Sequence, residues 1–137
     1  GRLVLHRLPS GAVLIDDSYN ANPGSLAAAI EILAASRDNA WLVLGDMREL
    51  GADTIALHAQ AGHQARTAGI GQLYALGELS AHAVTAFGEG GQHFATHEAL
   101  IEALRPQLRN GVTVLVKGSR GSAMDRIVSA LLEGSQP

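Results

Sequence analysis

The sequence predicts an α/β domain: a mostly parallel sheet with helices on both faces and an antiparallel hairpin at its N-terminal edge. Three observations carry this expectation. Short β-rich runs alternate with longer Ala-rich stretches, and strand, helix, strand in repetition with short connections builds a parallel sheet. The strands are nearly continuous in apolar residues, as in Trp41 to Leu44 (WLVL) and Val112 to Val116 (VTVLV), the pattern of strands buried on both sides. The length, 137 residues, is that of one domain. Together these describe a Rossmann-like arrangement.

Each element follows from local signals. Leu3 to Leu8 reads as a strand, Pro9-Ser10-Gly11 as a turn and Ala12 to Asp16 as a second strand. So short a connection joins only an antiparallel pair. Asp17 to Gly24 is a polar loop. Asn22 before Pro23 supplies an N-cap and a first-turn proline, so a helix is expected to about Ser36. Leu26, Ala29, Ile30 and Leu33 form one face of it. Trp41 to Leu44 is a buried strand closed by Gly45-Asp46. A helix from about Asp53 to Ala68 ends at Gly69, and Leu73 to Leu76 is the next strand. A helix at Ser80 to Phe87 leads to a weak strand near Gln92 to Ala95. Thr96 caps a helix that runs to about Leu108, with Pro106 near its end. Val112 to Val116 is the last strand, and Lys117 to Gly121 leads into a final helix ending at Leu132. Gly134 to Pro137 reads as a frayed tail. No repeat or linker divides the chain.

Composition excludes several functions. Ten Lys plus Arg against 13 Asp plus Glu leave a net charge of −3, without the dense basic face that nucleic-acid binding needs. A hydrophobic fraction of 47% supports a real core, and 4% aromatics means that Ala, Val, Leu and Ile build it. Cysteine is absent, which removes disulfides, thiolate metal sites and cysteine nucleophiles. No apolar run approaches the roughly 20 residues that span a bilayer, and no signal segment opens the chain. The expectation is a cytoplasmic monomer with neither nucleic-acid nor membrane partners. His6, His58, His63, His82, His93 and His97 show no metal-ligand spacing, so no structural metal is expected.

In open α/β sheets ligands bind beyond the carboxyl ends of the strands. That rule selects Asp16 to Gly24, Gly45 to Gly51, Gly77 to Ser80 and Lys117 to Ser122. In DDSYNANPGS, Asp17 can accept from ribose hydroxyls, Asn20 suits an adenine edge and Tyr19 can stack on a base. Asn22 reads equally as a helix cap and as a ligand contact. In GDMRELG, Asp46 either orients a ligand amine or fixes the loop, while Arg48 and Glu49 read as solvated. His58, one helix onward, either packs structurally or reaches the site. In KGSRGS, Lys117 leaves a hydrophobic strand, two glycines let the backbone approach a ligand, and Ser119 and Arg120 add donors. With the following helix N-terminus they make an anion site for a carboxylate or a phosphate. Neither a Walker A loop nor G-x-G-x-x-G after a strand occurs, and Gly88 to His93 reads as a turn. Asp16-Asp17, Asp46 and Lys117 also mimic the acidic pair, the Asp and the Lys of a phosphoacceptor receiver domain. Against that alternative, the acidic pair follows a hairpin, Gly77 rather than Ser or Thr ends its strand, and NANPGS is unexplained.

LIDDSYNANPGSLAAAIEIL, GDMRELG and LVKGSRGSAMDRIV together resemble the C-terminal domain of the Mur ligases, over nearly the whole chain from Gly1-Arg2 to the last helix. The resemblance implies one domain, residues 1–137, of a three-domain cytoplasmic enzyme of peptidoglycan synthesis. Such an enzyme uses ATP and Mg2+ to add D-Ala-D-Ala to UDP-MurNAc-tripeptide. Carried over by motif, Asp17, Tyr19, Asn20 and Asn22 would face the adenosine part of ATP, and Arg2 would reach towards the phosphates on closure. Asp46, His58, Lys117, Ser119 and Arg120 would help to hold the dipeptide, with the division between dipeptide and ATP phosphate left open. The family's P-loop and metal ligands belong to its central domain, so this chain is expected to hold no metal or catalytic residue and to be inactive alone. Two local expectations follow: Asp17, Asn20, Asp46 and Lys117 line one cleft edge, and Lys117→Ala impairs turnover or dipeptide affinity while the domain stays folded.

Overall fold

A computed structural model describes residues 3–36 and 39–133; the expectations for Gly1-Arg2 and for the tail from Gly134 lie outside the described residues. The elements are β1 (Val4–Arg7), β2 (Val13–Asp17), α1 (Pro23–Ala34), β3 (Asn39–Gly45), α2 (Thr54–Ala68), β4 (Gln72–Leu76), α3 (Ser80–Phe87), β5 (Gly91–Phe94), α4 (His97–Leu104), β6 (Val112–Lys117) and α5 (Asp125–Glu133). The sheet order is β1-β2-β6-β3-β4-β5. Only β1 against β2 is antiparallel; the other pairs are parallel. The expected fold class holds, including the hairpin at one edge.

Alternation along the strands divides the core. Leu14, Val43, Val114 and Val116 face Leu100, Leu104, Ile127 and Leu131 of α4 and α5. Ile15, Leu42, Leu44 and Leu115 face α1, α2 and α3, through Leu26, Ile30, Leu33, Ala65 and Phe87 among others. Successive side chains of a strand point to opposite faces, so a strand covered twice must be apolar throughout. No helix among the described residues is long and apolar enough to cross a membrane.

The start of α1 follows its local signals. Asn22 Oδ1 accepts from the Ser25 N–H at 2.8 Å, and Ser25 Oγ accepts from the Asn22 N–H at 3.1 Å. This reciprocal capping box precedes a proline at the first turn. Two helix boundaries differ from expectation. The helix after Thr96 stops at Leu104, and Pro106 lies in a 3-10 turn, Arg105–Gln107. Proline cannot donate to a helical ladder, and its ring meets the carbonyl four residues back. The last helix starts late, at Asp125, after a 3-10 turn over Arg120–Ser122 and Ala123 at φ 52. The helix N-terminus expected directly behind Gly121 therefore lies further along the chain, at Asp125. Instead the Ser122 N–H donates to Ser119 O and the Ala123 N–H to Arg120 O.

β6 lies between β2 and β3. The register sets Lys117 opposite both Asp17 and Leu44. Loops distant in sequence thus leave one sheet edge side by side.

Candidate functional site

The loops after β2 and β6 are stitched together by side chains. Lys117 is only 3% exposed. Its Nζ donates to Asp17 Oδ2 at 2.8 Å and to Asn20 O at 3.0 Å. An ammonium so deep is tolerable only when paired and hydrogen-bonded. Ser119 Oγ accepts from the Arg48 N–H at 2.8 Å and donates to Ala21 O at 3.4 Å. The Arg120 guanidinium lies over the Tyr19 ring, 4.5 Å from its centroid, and donates to Tyr19 Oη.

The loop after β3 is fixed from three sides. The Asp46 carboxylate accepts from the Leu79 N–H at 3.2 Å and the Ser80 N–H at 2.7 Å, which satisfies free donors at the start of α3. Gly77, at φ 107, lies so close that a Cβ there would stand 2.5 Å from that carboxylate. Asp46 O accepts from the Ser119 N–H at 3.2 Å and from Ser122 Oγ at 2.7 Å. Beneath the loop, the Met47 N–H donates to His58 Nε2 at 2.9 Å. The ring proton is therefore on Nδ1, which donates to Thr54 O at 2.7 Å.

His58 is fully buried, and both ring nitrogens are occupied, so the expected substrate contact is replaced by support of the loop from below. His58→Ala leaves the buried Met47 N–H without a partner and opens a cavity. It is expected to lower stability by about 2–3 kcal/mol, measured by urea unfolding. His58→Asn or Gln should restore part of this, and a midpoint unchanged in His58→Ala would remove the supporting role.

Three cavities open at this edge. Asp17, Asn20, Asn22 and Lys117 share one of about 310 Å³, walled by Leu3, Ala28, Ala29 and Ile32, with Ser25 at the rim. Asp46 lines a second, of about 210 Å³, with Arg48, Gly77, His97, Gly121 and Ser122. Tyr19 and Arg120 line a third, of about 400 Å³, with Asp16, Ser18 and Asp125. Of the four residues expected along one cleft edge, Asp17, Asn20 and Lys117 thus share a cavity, and Asp46 lines the neighbouring one. Tyr19, expected beside Asn20 and Asn22, instead lies under Arg120 and lines the third cavity. Lys117, expected to reach a ligand anion, is committed to Asp17. Arg2 lies outside the described residues.

Some lining residues escaped the sequence reading. Arg48 was expected to be solvated; it is exposed, yet it borders the cavity of Asp46. Its place in a strand-end motif was the available signal. His97 brings Nε2 to 3.0 Å from Ser122 O, with Arg126 Nη1 3.3 Å from its Nδ1. Leu3 and Ile32 carried no signal, because their meeting depends on how the hairpin packs against α1. The geometry lends the receiver-type alternative no support. Asp16 is turned to Ser18, accepting from its N–H at 3.0 Å and its Oγ at 2.6 Å. Asp17 is held by Lys117 and Asp46 by α3. Among the described residues no three His, Cys, Asp or Glu side chains group as metal ligands.

Known proteins resemble this chain in sequence and in fold. Residues 1–120 match the family described as "Mur ligase, glutamate ligase domain". The UDP-N-acetylmuramoyl-tripeptide–D-alanyl-D-alanine ligase of Escherichia coli (strain K12) is 44% identical over 135 residues, covering 97% of this chain and 30% of that protein. The ligase of the same name from Bacillus subtilis (strain 168) is 32% identical over 143 residues, with 96% and 30% covered. Of solved structures, MurF from Acinetobacter baumannii matches with a TM-score of 0.84 at 25% identity, over 96% of this chain and 29% of that one. MurF ligase from Thermotoga maritima in complex with ADP shares the fold, with a TM-score of 0.86 at 22% identity over 97% and 30%. The chain therefore spans about 30% of the length of these curated relatives. On the family match and the identity to these relatives, the chain belongs to the Mur ligase family as its C-terminal, glutamate ligase domain.

Proposed function

We propose that this chain is the C-terminal domain of a three-domain cytoplasmic ligase that joins D-Ala-D-Ala to UDP-MurNAc-tripeptide in peptidoglycan synthesis. In that reaction ATP supplies the phosphoryl group that activates the tripeptide carboxylate as an acyl phosphate. The dipeptide amine attacks the carbonyl carbon, forms the amide and expels phosphate. The observation that carries the reading is the junction of the DDSYNAN and KGSR loops at one rim, with separate cavities beside it.

The cavity of about 310 Å³ suits the adenosine end of ATP. Leu3, Ala28, Ala29 and Ile32 offer an apolar wall to a planar base, and Asn20, Asn22 and Ser25 offer polar groups at its edge. The capping box occupies Asn22 Oδ1, leaving the side-chain NH2 for a ligand. Lys117 then acts by holding Asp17 and the Asn20 carbonyl in place. Across the rim, the cavity of Asp46 suits the dipeptide. The Asp46 carboxylate retains acceptor capacity for an amine beyond its two backbone bonds. Arg48, with Arg120 nearby in the chain from Gly121, supplies cationic groups for a carboxylate. Closure against the other domains would keep water from the acyl phosphate. In this reading the metal ligands belong to the central domain, as the resemblance implies.

The test is phosphate release by the full-length protein. Release should require ATP, UDP-MurNAc-tripeptide and D-Ala-D-Ala together and should match amide formed one for one. Release indifferent to the dipeptide would sink the proposal. The domain alone should form no amide.

A further inference from the structure

We infer that Tyr19 is a positioning residue for Arg120: its ring and hydroxyl hold the guanidinium at the rim as a preformed fork for an anionic group, carboxylate or phosphate, of the substrates. The inference rests on the ligase reading but assigns Tyr19 a role distinct from stacking on the base. Side-chain contacts join the loops after β2 and β6. Those from Lys117 to Asp17 and Asn20, and from Ser119 to Ala21, are made by donors that are themselves buried. The contact of Arg120 with Tyr19 is exposed, with Tyr19 at 55%. It is the contact that a ligand can reach.

A guanidinium has five N–H donors in a fixed plane. Tyr19 Oη takes a bond from Nη2, and the guanidinium carbon lies over the ring, 4.5 Å from its centroid. Nη2 carries two N–H groups and Tyr19 Oη takes one of them, so one of the two bidentate edges, Nε with Nη2 or Nη1 with Nη2, remains for an anion. The Asp16 and Asp125 carboxylates line the same cavity, but Asp16 is bonded to Ser18. No ion pair joins Arg120 to a carboxylate among the described residues. A free arginine side chain loses much rotamer freedom when it binds; one already stacked loses less. Tyr19 therefore lowers the cost of using Arg120 without touching the substrate.

The experiment uses the full-length protein, with KM for ATP, UDP-MurNAc-tripeptide and D-Ala-D-Ala measured separately. Tyr19→Ala should raise KM for one anionic substrate about tenfold and change kcat less than about twofold, a split set by lost preorganisation. Tyr19→Leu, which keeps apolar bulk without a π-face, should behave alike; Tyr19→Phe, which keeps the ring, should restore most of the affinity. In an Arg120→Ala background, Tyr19→Ala should add nothing. A rise confined to D-Ala-D-Ala identifies a carboxylate, a rise confined to ATP a phosphate, and a rise for the UDP-linked substrate an anion of either kind on it; each supports the inference. An unchanged set of KM values overturns it, as does a full Tyr19 effect that persists without Arg120, the signature of direct stacking on the base. Wild-type protein without turnover would count against the ligase reading alone. The same cycle is then read in affinities for ADP and D-Ala-D-Ala, where additive effects or none overturn the inference and non-additive loss supports it.

Discussion

Lys117→Ala lowers the stability of this domain by about 3–5 kcal/mol, the cost of leaving one member of a buried ion pair alone. The side chains of Lys117 and Asp17 are 4% and 11% exposed. Removing the ammonium strands a carboxylate where water reaches it poorly, and the Asn20 carbonyl loses a donor as well. The whole stability of a domain is commonly about 5–15 kcal/mol, so the variant is expected near the edge of folding. Lys117→Met combined with Asp17→Leu should recover most of the loss, since replacing both charges removes the desolvation cost along with the attraction. Urea midpoints followed through Trp41, the sole tryptophan, measure both variants. A wild-type midpoint in Lys117→Ala would show that the pair contributes nothing. The sequence alone leads to a different expectation, impaired turnover or dipeptide affinity in a domain that stays folded, and the urea midpoint separates the two. Lost activity in Lys117→Ala would report a damaged loop, and Arg120 is the cleaner probe of ligand contact.

The pairing of Lys117 with Asp17 shows where sequence reading stops. Asn22-Pro23 with Ser25 specifies a helix start from four neighbouring residues, and the apolar runs of β3 and β6 identify buried strands without knowledge of their partners. Those signals are local. The Asp17–Lys117 pair joins residues 100 positions apart and exists because β6 enters the sheet between β2 and β3. Chain order alone does not dictate that insertion. The late start of α5 is similarly nonlocal. Met124 is fully buried against two glycines: a Cβ on Gly118 would stand 2.5 Å from Met124 Cγ, and one on Gly45 2.6 Å from its sulfur. That packing accompanies the left-handed turn at Ala123, which an alanine does not advertise. His58 is an intermediate case. Its helical position was legible, but the face it occupies depends on where the β3 loop crosses α2.

Gly62→Ala should destabilise the fold by about 2–3 kcal/mol, against the usual benefit of replacing a helical glycine by alanine. In isolation that exchange favours a helix by about 1 kcal/mol. Here the added Cβ would lie 2.0 Å from the Ala83 carbonyl oxygen, 2.8 Å from its carbon and 2.9 Å from its Cα. All three are backbone atoms of α3, so no flexible side chain can give way, and overpacking of this kind costs about 1–3 kcal/mol or more. The helices must separate. Movement of α3 disturbs buried Phe87 and shifts the Leu79 and Ser80 N–H groups that hold the Asp46 carboxylate. The clash therefore reaches the cavity that Asp46 lines through the contact between α2 and α3. Gly24→Ala, where the nearest atom is 3.5 Å away, provides the contrast and should be neutral or slightly stabilising. If both variants unfold at the wild-type urea concentration, α2 and α3 part at little cost, and the close approach at Gly62 cannot be what positions Asp46.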